Sequence, residues 1–263
     1  NGSIFYKIIQ PDYVSLGTYY TSNNYQSLGA SLSTLLFRRI SLSGNFSMQN
    51  DNLSKKQLYT NNGYVYSAMA SYNHTCGFGI TGMFNGYLQR QDDGASVVND
   101  TTRVNRELRS FTIMPSCSRS GENFDHSVSL SANYTENIDH NRFNIGMSDV
   151  QTMALGASYN LGVKPWEMDF GLSSSLQQSK GFNSKYTSVV TSLSTGRGFL
   201  KDKNLNVSAS VSLCYNHVQY TSKNLSLAFD MSASYSIKQA HSFSASASFS
   251  KYGDVNPTQT RSS

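Results

Sequence analysis

The sequence predicts an all-β fold, an antiparallel up-and-down transmembrane β-barrel, and three observations carry that prediction. Apolar and small polar residues alternate with period two along almost the whole chain. Only 14% of the 263 residues are charged, yet 14 Phe, 17 Tyr and one Trp supply an aromatic content that a disordered polar chain lacks. Short and long connections alternate between the strand segments, a sorting found in outer-membrane barrels and without purpose in a soluble sandwich.

Taken in order, the first clear strand segment is 26–37; it runs inward, so a predecessor is expected within Ile4 to Thr21. In 40–50, Ile40, Leu42, Gly44, Phe46 and Met48 alternate with Ser41, Ser43, Asn45, Ser47 and Gln49. Segments of similar length follow at 63–74, 77–89, 107–117, 126–136, 150–161 and 167–178. In 186–198 the pair Val189-Val190 leaves the facing ambiguous. In 204–216, Leu205, Val207, Ala209, Val211, Leu213 and Tyr215 alternate with Asn206, Ser208, Ser210 and Ser212. In 223–237 the apolar set is Leu225, Leu227, Phe229, Met231, Ala233, Tyr235 and Ile237, and in 242–250 it is Phe243, Ala245, Ala247 and Phe249, separated only by serine. A helix would scatter such residues around its circumference, so helix is excluded for these segments. Each segment approaches the roughly 9–11 residues that cross a bilayer as a tilted strand. No apolar run exceeds three residues, as in Leu35-Leu36-Phe37, so no helix of the about 20 apolar residues needed to span a bilayer is present.

Twelve segments are visible; with the predecessor and a closing strand beyond Ser263 the total becomes about fourteen. The chain 1–263 thus reads as a single β-barrel domain, incomplete at both ends. Tight links are expected at Arg38-Arg39, His74–Cys76, Ser118–Asp125, Gly162–Trp166, Phe199–Lys203 and Lys238–His241. Longer ones are expected at Asp51–Asn62, Arg90–Arg106, Asn137–Asp149, Ser179–Lys185 and Asn216–Ser222, with a tail from Lys251. Short turns then face the periplasm and long loops the exterior. Tyr64, Tyr66, Tyr87, Tyr186, Tyr215 and Tyr252 would form an outer aromatic girdle; Tyr72, Phe78, Tyr159, Trp166, Phe199, Tyr235 and Phe243 would form the periplasmic one.

The stretch Pro11-Asp12-Tyr13-Val14-Ser15-Leu16-Gly17-Thr18-Tyr19-Tyr20 and the run Leu35 to Leu53 resemble segments of a C-terminal barrel family in outer-membrane proteins of the Bacteroidetes group. The two segments make up 29 of the 263 residues. The resemblance implies the fold and an outer-membrane location, and it brings no catalytic residue with it.

The net charge of +5 is spread in ones and twos, as at Arg38-Arg39, Lys55-Lys56, Lys201 and Lys203, rather than along the basic stripe of a nucleic-acid binder. The five histidines show no metal-binding or hydrolase spacing; His126-Ser127 is an adjacent histidine–serine pair, in a chain where serine is abundant. No catalytic residue, metal site or cofactor is expected. Asp92, Asp93, Asp100 and Asn50-Asp51-Asn52 offer oxygens of the type calcium prefers, or are ordinary solvated loop residues. Cys76 and Cys117 fall almost opposite each other when the chain is folded near Val97, so they form either a disulfide or two free thiols. Asp100-Thr101-Thr102 resembles a short O-glycosylation acceptor of the Bacteroidetes group, with Thr101 the modified residue.

The expected lumen lining is Ser208, Ser210, Ser212, Asp230, Ser232, Ser234, Ser244 and Ser246. A small uncharged lining suits a porin-like channel for small solutes or a non-catalytic anchor for a surface complex. Its partners would be outer-membrane lipid, lipopolysaccharide and other surface or periplasmic proteins. The rival readings are an outer-membrane enzyme or assembly factor whose key residues lie outside 1–263, and a secreted serine-rich β-adhesin.

Overall fold

The computed structural model describes residues 1–11, 24–144, 146–199, 204–219, 222–237 and 241–254. They form an antiparallel up-and-down sheet of 13 strands in sequence order. The strands are β1 (Gly2–Ile9), β2 (Tyr25–Leu36), β3 (Ile40–Asp51), β4 (Tyr59–Asn73), β5 (Phe78–Asp93), β6 (Asn105–Ser120) and β7 (Phe124–Asp139). They continue as β8 (Val150–Val163), β9 (Met168–Gly181), β10 (Ser184–Phe199), β11 (Leu205–Val218), β12 (Ser222–Ile237) and β13 (His241–Asp254). One turn of 3₁₀-helix, Lys164–Trp166, is the only helical element among the described residues.

All twelve expected strands are present, and β1 supplies the predecessor. It lies at Gly2–Ile9, nearer the start of the chain than Ile4 to Thr21 suggested. From the resembling stretch 11–20, all but Pro11 lies outside the described residues. Most strands are longer than expected; β5, β6, β7, β10 and β12 each run 16 residues. That lengthening corrects the expected sorting of links. β9 and β10 join through Phe182-Asn183 alone, where a long loop was expected, so strict alternation holds only as far as the β8–β9 link. The physical cause is that Ser179–Gly181 and Ser184–Lys185 keep ladder pairing through polar residues, which the hydropathy pattern reads as loop.

The tight turns show why these residues reverse the chain. Phe37 and Arg38 both have positive φ (50° and 56°), and Arg39 N donates to Leu36 O at 3.1 Å, the two-residue geometry whose twist matches paired strands. Gly77, at φ +88°, could carry no side chain, because a Cβ there would collide with Ser118 O. At Lys164–Trp166, Pro165 starts the 3₁₀ turn and Glu167 closes it at φ 49°.

Two compact units divide the chain: one of Asn1–Asn73, Ile80–Ile113 and Asn133–Thr152, the other of His74–Gly79, Met114–Ala132 and Met153–Ser263. Within the first, Ile4, Ala30, Phe46 and Tyr66 stand in one cross-strand row, and Ser3, Ser31, Asn45 and Ser67 in the adjacent row on the opposite face. Within the second, Leu172, Leu193, Val211, Phe229 and Phe249 form one row, and Gly171, Ser194, Ser210, Asp230 and Ser248 the next, on the other face. Each unit therefore has an apolar face and a hydroxyl-bearing face.

Neither face is covered by a second layer of described residues. Val163 is the one buried apolar residue among them, whereas the buried polar residues are Asn24, Asn52, Asn62, Glu107, Asp139, Asn141 and Ser188. Phe229 is 44% exposed, Leu193 56% and Phe249 67%. A water-soluble domain distributes these types the other way round.

Candidate functional site: the serine face and the stitched loop end

The register gathers the expected lining residues on one face of the second unit. Ser208 pairs with Ser232 and Ser232 with Ser246; Ser234 pairs with Ser244; Ser210 pairs with Asp230; Ser212 pairs with Ser192. Directly opposed serines bond across the ladder: Ser208 Oγ and Ser232 Oγ are 2.7 Å apart, as are Ser173 Oγ and Ser192 Oγ. Asp230 stands exposed between Ser210 and Ser248, and its carboxylate has no hydrogen-bond or ionic partner among the described residues.

Three of the expected outer-girdle tyrosines belong to the hydroxyl-bearing face instead. Tyr186 shares parity with Ser188, Ser192 and Ser194, and its hydroxyl donates to Asn216 Oδ1 at 2.9 Å. Tyr252 pairs with Ser226, and Tyr87 lies against Gly63 beside Gln49 and Ser47. Tyr64 and Tyr215 stand with Met48 and Leu225 on the apolar face, and Tyr66 stands with Phe46 on that face in mid-strand. Position along a strand set the expected girdle; parity decides which way each ring faces.

The long-loop end of the first unit is stitched together by amides. Asn52 is only 2% exposed and adopts φ 57°, a conformation asparagine tolerates better than most residues. Its Nδ2 lies 3.2, 3.2 and 3.1 Å from Gln57 O, Tyr59 O and Thr60 Oγ1, and its Oδ1 accepts from Gln57 N at 2.9 Å. The loop it organises meets the next one, where Ala95 N donates to Gln57 O at 2.8 Å. Asn141 Nδ2 donates to Asp100 O and Arg103 O at 2.9 and 2.8 Å, fixing a third loop. Replacement of Asn52 by alanine is expected to cost about 1–3 kcal/mol for the polar groups left unpaired. Trypsin cleavage at Lys55-Lys56 in the native protein reads that loss directly, and an unchanged cleavage rate would show that Asn52 does not hold the loop.

The acidic loop residues are engaged within the protein. Asp51 accepts from Asn61 N and Nδ2 at 2.6 and 2.7 Å; Asp93 and Asp100 pair with Arg103 at 2.9 and 3.5 Å; Asp92 pairs with Arg90 at 3.1 Å. Among the described residues no group of three or more His, Cys, Asp or Glu converges as a metal site. Thr101 is exposed in its loop, with its hydroxyl donating to Asn99 Oδ1 at 2.8 Å.

Cys76 and Cys117 are both exposed and free, so the disulfide alternative is corrected. Ser118 N donates to Gly77 O at 2.8 Å, which aligns Cys117 with the residue after Gly77 rather than the one before it. Cys76 lies in the turn, its Sγ 2.9 Å from His74 Nδ1. His126 and Ser127 are neighbours in β7 and so face opposite sides of the sheet; His126 Nδ1 instead meets Tyr159 OH at 2.8 Å.

Sequence reasoning missed one ionic cluster. Glu107 Oε1 accepts from Tyr66 OH and Arg109 Nε, both at 2.8 Å, while Oε2 meets Arg109 Nη2 at 2.7 Å and His140 Nε2 at 3.0 Å. The signal was Glu107 and Arg109 two apart in a strand, hence on one face with Phe111. With both oxygens so engaged, Glu107 is suited to holding the His140 loop to the sheet rather than to taking up a substrate proton.

No protein-family model and no curated protein matches this chain. Among solved structures it is similar to the alcaligin outer membrane receptor FauA of Bordetella pertussis, at 12% identity and a TM-score of 0.44. The match covers 88% of this chain and 53% of that one, so the chain spans about half the length of the receptor.

Proposed function

We propose that this chain forms the wall of a non-catalytic outer-membrane β-barrel, with its apolar face in lipid and its serine face lining a hydrated passage for small solutes. The observation that carries the reading is the pair of oppositely faced rows in the second unit, Leu172-Leu193-Val211-Phe229-Phe249 against Gly171-Ser194-Ser210-Asp230-Ser248. A continuous apolar face of that size needs a cover, and acyl chains of phospholipid and lipopolysaccharide provide one without a second protein layer. A β-sheet can cross a bilayer only if its edges are closed, so the reading includes a closed wall. The short turns face the periplasm and the long loops the exterior. Passage is favoured over a plugged anchor because Asp230 stands unpaired on the serine face, and a carboxylate at membrane depth needs water or a partner.

The test uses the purified chain in detergent and in planar bilayers. The protein should leave the membrane fraction only with detergent, migrate faster on SDS gels before boiling than after, and open ion-conducting steps in the bilayer. A stable monomer in detergent-free buffer would overturn the membrane reading. Heat-modifiable mobility without conductance would overturn the passage and leave the anchor.

A further inference from the structure

The hydroxyl-bearing face of the first unit holds a polar pocket of about 160 Å³ at its long-loop end, lined by Ser47, Gln49, Asp51, Asn61, Tyr87 and Gln89. We propose that this pocket is a subsite for one ring of a neutral saccharide, which deepens the passage reading above and rests on it.

The lining chemistry selects the ligand class. The side chains of Gln49, Gln89 and Ser47 and the Tyr87 hydroxyl have no hydrogen-bond partner among the described residues, so two amides and two hydroxyls are available both to donate and to accept. Ligands that are only donors or only acceptors would use half of that capacity; a polyhydroxyl ring uses all of it. No Lys or Arg lines the pocket. The cation opposite Ser27 in the register, Lys7, sits over the Tyr25 ring at 5.5 Å, so an anion finds no counter-charge. A metal cation fares little better, since Asp51 is the single carboxylate of the lining and it already holds Asn61 through both oxygens.

Shape and rigidity point the same way. The Tyr87 ring lies over Gly63, whose absent Cβ would stand 3.7 Å from its Cε2. The strand backbone thus supports an apolar ring with a polar tip, against which the C–H face of a sugar can lie. The rim is fixed before any ligand arrives: Asp51 clamps Asn61, Gln91 Nε2 donates to Asn61 Oδ1 at 3.3 Å, and Asn52 anchors the loop beside them. The volume falls below the roughly 300–1,000 Å³ of a complete small-molecule site, which is why the ligand is one ring of a longer or passing sugar.

The experiment is isothermal titration of the detergent-solubilised chain with glucose, galactose, mannose and their neutral trisaccharides. Glucuronate and trialanine serve as the charged and the peptide comparisons, and conductance is recorded on the same preparation. Saturable binding of at least one neutral sugar is expected, weakened tenfold or more by Gln49→Met, Gln89→Met or Tyr87→Leu and unchanged by Ser33→Ala elsewhere on that face. The glutamine variants keep side-chain length, and unboiled gel mobility checks that each has folded. No saturating sugar, equal affinity in folded variants, or tighter binding of trialanine or glucuronate would overturn the subsite. A conducting chain that binds no sugar removes the subsite alone; a sugar-binding chain that does not conduct removes the passage alone.

Discussion

Phe229→Arg should strongly destabilise the inserted protein, while Ser232→Arg, three residues further along the same strand, should leave it nearly intact. Phe229 is at the middle of β12 and pairs with Val211 on one side and Phe249 on the other. If that row lies at the bilayer midplane, a guanidinium there costs about 2–4 kcal/mol, a large share of the few kcal/mol that separate folded from unfolded domains. Ser232 faces the other way, between Ser208 and Ser246, where an arginine side chain enters water. The measurement is urea unfolding in short-chain phosphatidylcholine vesicles, followed by emission of the one tryptophan, Trp166, and by unboiled gel mobility. Equal midpoints for the two variants, or a larger loss for Ser232→Arg, would mean that the two faces have been assigned the wrong way round.

The contrast between those two positions was readable in the sequence because side-chain direction in a strand depends only on parity. Leu205 to Tyr215 and Leu225 to Ile237 announce their faces without any knowledge of their partners, and the observed register joins them like to like. Strand ends were less legible. Tyr59 to Asn62 and Arg90 to Asp93 carry no apolar–polar alternation, yet they lie within the strands. The tight link expected at Arg38-Arg39 begins one residue earlier: Phe37 and Arg38 carry the positive φ without being glycine or asparagine, so composition does not mark which residues turn.

The loop end was the least legible part, because its bonds join residues far apart in the chain. Asn24 accepts from Ser54 N through its Oδ1 at 3.2 Å, and Asn141 reaches Asp100 O and Arg103 O. No local pattern distinguishes such an asparagine from one exposed to solvent. The tyrosines are a different case. Tyr186 has the parity of Ser188, Ser192 and Ser194, but Val189-Val190 left the facing of that strand ambiguous, so only the register puts Tyr186 on the serine face.

The serine face itself is tested most sharply by two adjacent residues. With Cys76, Cys117 and Cys214 replaced by serine, Asp230→Cys in lipid-reconstituted protein should react quickly with a charged, membrane-impermeant thiol reagent, and Met231→Cys should not react. Asp230 has Ser210 and Ser248 as cross-strand neighbours; Met231 has Ala209 and Ala247. The two sites share depth, strand and backbone environment, so the difference between them reports facing and little else. A thiol in lipid stays protonated and meets no charged reagent, whereas a thiol in water forms the nucleophilic thiolate. Silence at both positions would mean that the serine face is dry at this depth, as a plug would make it. Reaction at 231 alone would put the apolar face in water and remove the membrane reading with it.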